Sequence, residues 1–67
     1  MARKEIVSGL VTIAYHGRSV KERLEAIHSL ASYLDDHEAV SCLQSIMYHS
    51  DNEELRLAAI RALGKRL

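Results

Sequence analysis

Four histidines, His16, His28, His37 and His49, are the residues most able to hold a metal ion, because a neutral imidazole is a ready ligand. A metal site needs three or four such donors around one point. His37 has Glu38 beside it, but one pair is too few, and Glu38 is well placed to support a helix start. His16 and His49 lie 33 residues apart, each where a helix is expected to end, and a cation there complements the helix dipole. The single cysteine, Cys42, cannot form an intramolecular disulfide, and no local base marks it as a nucleophile. Ser8, Ser29, Ser32, Ser41 and Ser45 fall inside helical stretches, without the sharp turn that exposes a nucleophilic serine. Gly9, Gly17 and Gly64 are too scattered for a phosphate-binding loop. The expectation is a non-enzyme with no catalytic residue, no metal and no cofactor.

Charge carries the other chemistry. Nine basic residues balance nine acidic ones, which argues against a domain that grips nucleic acid by bulk positive charge. Arg56, Arg61, Lys65 and Arg66 are the densest basic group, so nucleic-acid binding through the end of the last helix stands as the alternative reading. Complementing the C-terminal end of that helix explains three of the four equally well. Residues 1–34 carry five basic and three acidic groups, against four and six in residues 35–67, a bias that could favour head-to-tail contact.

The elements that position these residues are all helical. Ile6, Leu10 and Ile13, with Val7, Val11 and Ala14, recur at helical spacing and predict a helix from about Arg3 to Tyr15. Gly17 follows where a helix commonly stops on a residue of positive φ. Ser19-Val-Lys-Glu22 has the form of a capping box and opens a second helix running to about Tyr33. Asp35 or Asp36 starts a third, whose apolar face is Ala39, Val40, Leu43, Ile46 and Met47. Ser50 or Asp51 caps a fourth against Glu53 or Glu54. No strand-like alternation and no proline interrupts this pattern.

The chain also repeats itself. A shift of 33 residues lays Val20–Leu34 on Glu53–Leu67, and Arg23, Leu24, Ala26, Ile27, Leu30 and Leu34 meet Arg56, Leu57, Ala59, Ile60, Leu63 and Leu67. Glu5, Val7, Ser8, Leu10, Ile13, Tyr15 and His16 meet their own kind in the same way. Thirteen of thirty pairs agree where about two would by chance, so this is a tandem repeat. Residues 1–67 read as one domain, with repeat 1 over about 1–34 and repeat 2 over about 35–67. The fold class expected is all-α: four helices in two antiparallel hairpins.

Glu54-Leu-Arg-Leu-Ala-Ala-Ile-Arg-Ala-Leu-Gly64 resembles the second helix of HEAT-like repeats, including those of the bilin lyases. Arg23-Leu-Glu-Ala-Ile-His-Ser-Leu is a looser copy, with Glu22 at an apolar place and Ala31 in place of the glycine. The resemblance covers both repeats and implies a short α-solenoid, first helices on one face and second helices on the other. His37-Glu38 is similar to the metal-binding pairs of the HEAT-repeat deoxyhypusine hydroxylases. Lys4-Glu5 at the matched place breaks that pattern. Two repeats are also too few to enclose a pigment as bilin lyases do.

Matched positions that differ suggest a binding surface. Glu22, Glu25 and Ser29 form a polar stripe, and Leu55, Ala58 and Ala62 replace it with an apolar one. A terminal helix should be polar on its outer flank. The expected interaction surface is therefore Leu55, Ala58, Ala59 and Ala62, with Lys21, Glu25, His28, Arg61 and Lys65 as a polar rim. The expected partner is another protein or a second copy, giving a homo-oligomer, with the next repeat of a longer solenoid as the third possible cover. Tyr15 and Tyr48 are expected to pack within their hairpins. The first residues lack the apolar core of a secretion signal and no run is long enough to span a bilayer, so a cytoplasmic location is expected.

Overall fold

A computed structural model of the chain describes residues 2–65. They form helices α1 (Arg3–His16), α2 (Val20–Leu30), α3 (His37–His49) and α4 (Glu53–Gly64). A 3-10 turn over Ala31–Tyr33 tightens the end of α2, so the second helix stops three residues earlier as an α-helix than its periodicity suggests. No strand occurs among the described residues.

Each hairpin's second helix, and α3, begins on a side chain that accepts amide protons left unpaired in the first turn. At α2 the Ser19 Oγ accepts from the Glu22 N–H at 3.1 Å. The Glu22 carboxylate in turn accepts from the Arg18 N–H at 3.0 Å, one residue before the usual return bond of a capping box. At α3 the cap is Asp36, whose Oδ1 accepts from Glu38 and Ala39 at 2.9 and 3.3 Å. Asp35 is thereby released to pair with Arg3, whose guanidinium lies 5.2 Å from the Tyr33 ring centre. The α4 cap is neither Ser50 nor Asp51 but Asn52, which accepts from the Leu55 N–H at 3.0 Å. Ser50 instead holds the turn, its Oγ accepting from the Asn52 N–H at 3.2 Å.

Gly17 is present for room and not for handedness. Its φ of −56° is open to any residue, and no described residue has a positive φ. A Cβ at Gly17 would lie 2.7 Å from the Ile13 carbonyl oxygen and 2.9 Å from the Arg23 Cγ. The crowding comes first from the Ile13 backbone and then from Arg23, which crosses here to donate its Nε–H to the Ala14 carbonyl at 2.8 Å. Arg56, its match in repeat 2, donates to the Ser50 carbonyl at 2.8 Å. Each repeat thus uses one arginine of its second helix to tie down the end of its first.

Two hairpins, α1 with α2 and α3 with α4, lie side by side, so that α1 meets α3 and α2 meets α4. The result is a slab two helices deep, 31 × 30 × 15 Å along its principal axes. Val7, Ile27, Leu30, Leu43 and Leu55 are fully buried between the layers. Ala26, Ala39, Ala58, Ala59 and Ala62 are buried with them, and their small side chains let four helix backbones approach closely.

Candidate interaction surface

The joint between the hairpins settles which flank of each helix is free. Repeat 2 turns Ala39, Leu43, Ile46, Leu55, Ala58 and Ala62 into the core, each 3% exposed or less. The matching residues of repeat 1 are Ile6, Leu10, Ile13, Glu22, Glu25 and Ser29, and every one of them reaches solvent. Repeat 1 in turn buries Val7, Ala14, Ile27 and Leu30 completely, and their matches Val40, Met47, Ile60 and Leu63 are all at least partly open. The same kind of surface is therefore covered once, at the joint, and bare once, at an outer edge.

This corrects the surface expected from the stripe on α4. Leu55 and Ala59 are 0% exposed and Ala58 and Ala62 are 3% exposed, so the four together offer almost no surface to a partner while the chain is folded. Their flank faces back toward α2, because repeat 2 has a neighbour on that side. The polar stripe of Glu22, Glu25 and Ser29 faces the other way, off the free end of repeat 1. The apolar residues of α4 that do reach solvent are Leu57 and Ile60, at 42% and 48%. Lys21, Glu25, His28, Arg61 and Lys65 are all exposed.

Three open features result. The outer edge of repeat 2 presents Val40 and Met47 from α3 with Ile60 and Leu63 from α4. The outer edge of repeat 1 holds a groove of about 340 Å³, with Leu10, Ile13 and Ala26 as apolar lining and Glu22, Glu25 and Ser29 at its side. A second groove of about 310 Å³ runs between α2 and α4, lined by Leu24, His28, Glu54, Leu57, Ala58 and Arg61. His28 of one repeat and Ala58 of the next both line it.

The groups considered for chemistry are dispersed. Among the described residues no three His, Cys, Asp or Glu side chains come together. His16 and His49 are exposed at the last residues of α1 and α3, beside Tyr15 and Tyr48. Tyr48 is 71% exposed and packs within no hairpin, whereas Tyr15 leans across the joint toward Ser45 and Cys42. Burial there raises the Tyr15 hydroxyl above its ordinary pKa, with the Ser45 contact partly opposing the rise. Burial likewise raises the Cys42 thiol, against a smaller opposing contact with Tyr15, and a raised thiol is a poor nucleophile. The Arg3 guanidinium hydrogen-bonded to Asp35 holds that carboxyl below its usual range. Of the basic group on α4, Arg56 is engaged with the Ser50 carbonyl, Arg61 and Lys65 are exposed, and Arg66 lies outside the described residues.

A family profile described as HEAT repeats matches residues 7–66. The chain belongs to the HEAT-repeat family. HEAT repeats generally mediate protein–protein interaction, and the family is typically a non-catalytic scaffold. No curated protein and no solved structure matches the chain. In HEAT-repeat terms, α1 and α3 are the first helices of their repeats and α2 and α4 the second. No helix among the described residues is long and apolar enough to cross a membrane.

Proposed function

We propose that this HEAT-repeat chain is a protein-interaction module that associates with further copies of itself and carries no chemistry of its own. One observation supports the reading above all others. Val7, Ala14, Ile27 and Leu30 are 0% exposed under repeat 2, and their four matches in repeat 2 are apolar too, yet Val40, Met47 and Leu63 are partly open and Ile60 is 48% exposed. The open flank of α2 in repeat 1 is polar instead, with Glu22, Glu25 and Ser29 exposed on it. An apolar flank such as Ile60 with Leu63 gains about 25 cal/mol for every Å² of apolar surface it buries, which favours a covering protein.

Solution mass by sedimentation tests the proposal, for the wild-type chain and for Ile60→Glu. The expected result is an associating wild type and a folded, monomeric Ile60→Glu. A wild type that stays monomeric into the millimolar range, or an Ile60→Glu that associates as well as the wild type, would remove self-association through this edge.

A further inference from the structure

We infer that copies join head to tail, the outer edge of repeat 2 docking on the outer edge of repeat 1 of the next copy, with Arg61 set against Glu25. This rests on the self-association reading above and adds to it an orientation and a register. The internal joint supplies the template. It stacks repeat 1 on repeat 2, and a second copy placed by the same step would lay its repeat 1 on the bare edge of repeat 2.

Matched residues show what such a joint would contain. Val40, Met47, Ile60 and Leu63 would occupy the places of Val7, Ala14, Ile27 and Leu30. Opposite them, Ile6, Leu10, Ile13 and Ala26 of the next copy would occupy the places of Ala39, Leu43, Ile46 and Ala59. The apolar groove of about 340 Å³ at the edge of repeat 1 is the receiving surface. Gly9, at the place of Cys42, has nothing within 4 Å of a Cβ, which leaves room for Met47 where the internal joint has the smaller Ala14.

Two carboxylates stand where the internal joint has Leu55 and Ala58, and they decide the partner's chemistry. Glu22 is occupied, because its Oε1 accepts from the Arg18 N–H at 3.0 Å and caps α2. Glu25 has no such role and would need a cation. At the internal joint the place of Glu25 is held by Ala58, which shares its groove with His28. The match of His28 on α4 is Arg61. The cation that Glu25 needs is thus carried by the opposite edge of the same chain, at the matched register. The groove at the new joint would also contain Lys21 and His28 of the second copy, at the matched places of Glu54 and Arg61.

A contact that joins unlike edges leaves one edge free at each end of the stack until a ring closes, so two stacked copies can still add a third. The wild-type mass should keep rising with concentration and show no plateau at the dimer. A contact of repeat 2 edges across a two-fold axis would stop at two copies, and would leave Glu25 and the groove beside it unused.

Mixing variants separates the possibilities. Glu25→Arg and Arg61→Glu change exposed residues, and each places like charges at the joint. Each alone should weaken association about tenfold. Mixed in equal amounts, they should regain wild-type affinity within about threefold, because Arg at 25 then meets Glu at 61 in one joint and the native pair meets in the other. A second pair, Ile13→Glu and Ile60→Glu, each altering a residue 44% or 48% exposed, blocks one edge apiece. Each alone should be monomeric, and the mixture should form a dimer and nothing larger. If Ile13→Glu still dimerises alone while Ile60→Glu does not, copies pair by the repeat 2 edge and the head-to-tail inference is overturned. Association of the wild type without recovery on mixing also overturns it. A monomeric wild type overturns the self-association reading itself.

Discussion

Leu55 and Leu57 are the same residue type, two positions apart on one helix, and the fold assigns them opposite surroundings. Leu55 is 0% exposed in the joint between α2 and α4, whereas Leu57 is 42% exposed at the rim of the groove. Truncating a fully buried leucine to alanine removes its transfer energy and leaves a cavity, at a cost of about 3 kcal/mol. Leu57→Ala gives up roughly half as much contact with protein and opens no enclosed void, so it should cost about 1 kcal/mol. A domain of this size has a core worth only about 3–5 kcal/mol, so Leu55→Ala should populate the unfolded state at ordinary temperature. With about 4–8 °C per kcal/mol for domains of this class, the two melting temperatures should differ by at least about 8 °C. The assay is thermal unfolding, with urea denaturation beside it, followed by far-ultraviolet circular dichroism in dilute protein so that self-association adds nothing. Equal losses, or a larger one for Leu57→Ala, would show that the apolar stripe faces outward and that the joint is misassigned.

Three further outcomes follow from local geometry. Gly17→Ala puts a methyl 2.7 Å from the Ile13 carbonyl oxygen and should cost about 1–3 kcal/mol, while Gly9→Ala, with open space around it, should stabilise by a few tenths to about 1 kcal/mol; the same denaturation series compares them. Arg23→Lys loses the Nε–H bond to the part-buried Ala14 carbonyl and should cost about 1 kcal/mol, read as a lower urea midpoint, and an unchanged midpoint would show that bond to be dispensable. The pairing with Arg3 holds the Asp35 carboxyl down, so its stabilisation is complete above the ordinary carboxylate range and is lost as pH falls through the lowered value. Melting temperatures of wild type and Asp35→Asn should therefore differ at neutral pH and converge in acid; a gap that persists in strong acid would rule the ion pair out as its source.

The repeat period and the four helices were legible in the sequence because apolar residues at helical spacing fall in register after a shift of 33. Ser19 with Glu22 was legible for the same local reason. Two details of the turns were not. Ser50, Asp51 and Asn52 can all cap a helix, and only the path of the chain brings Asn52 within 3.0 Å of the Leu55 N–H. Gly17 was read as a left-handed stop because most helix-ending glycines are, yet its need is space beside the Ile13 carbonyl and the Arg23 side chain, the latter a contact six positions away.

The orientation of the α4 stripe was misread for a deeper reason. Helix α4 is apolar on two sides, and periodicity alone does not say which side faces the preceding hairpin. A usable signal was present all the same. A polar-to-apolar change between matched places marks the flank on which one repeat has a neighbour and the other has none. Glu22, Glu25 and Ser29 against Leu55, Ala58 and Ala62 therefore point to the side facing back along the chain. Places that stay apolar in both repeats, as Ile27 and Leu30 do in Ile60 and Leu63, point forward. Read in this way, the open edge was recoverable from the sequence. The groove beside Glu25, which depends on how α1 and α2 splay apart, was not.

The most direct test of an interaction module built on its two open edges is a dilution series followed by amide and methyl nuclear magnetic resonance shifts. Concentration-dependent shifts should appear at Val40, Met47, Ile60 and Leu63 on one edge and at Leu10, Ile13 and Glu25 on the other. Residues of the internal joint such as Leu55 and Ala58 should hold still. Shifts confined to other surfaces, around Tyr48 for example, or spectra unchanged from micromolar to millimolar protein, would contradict the account.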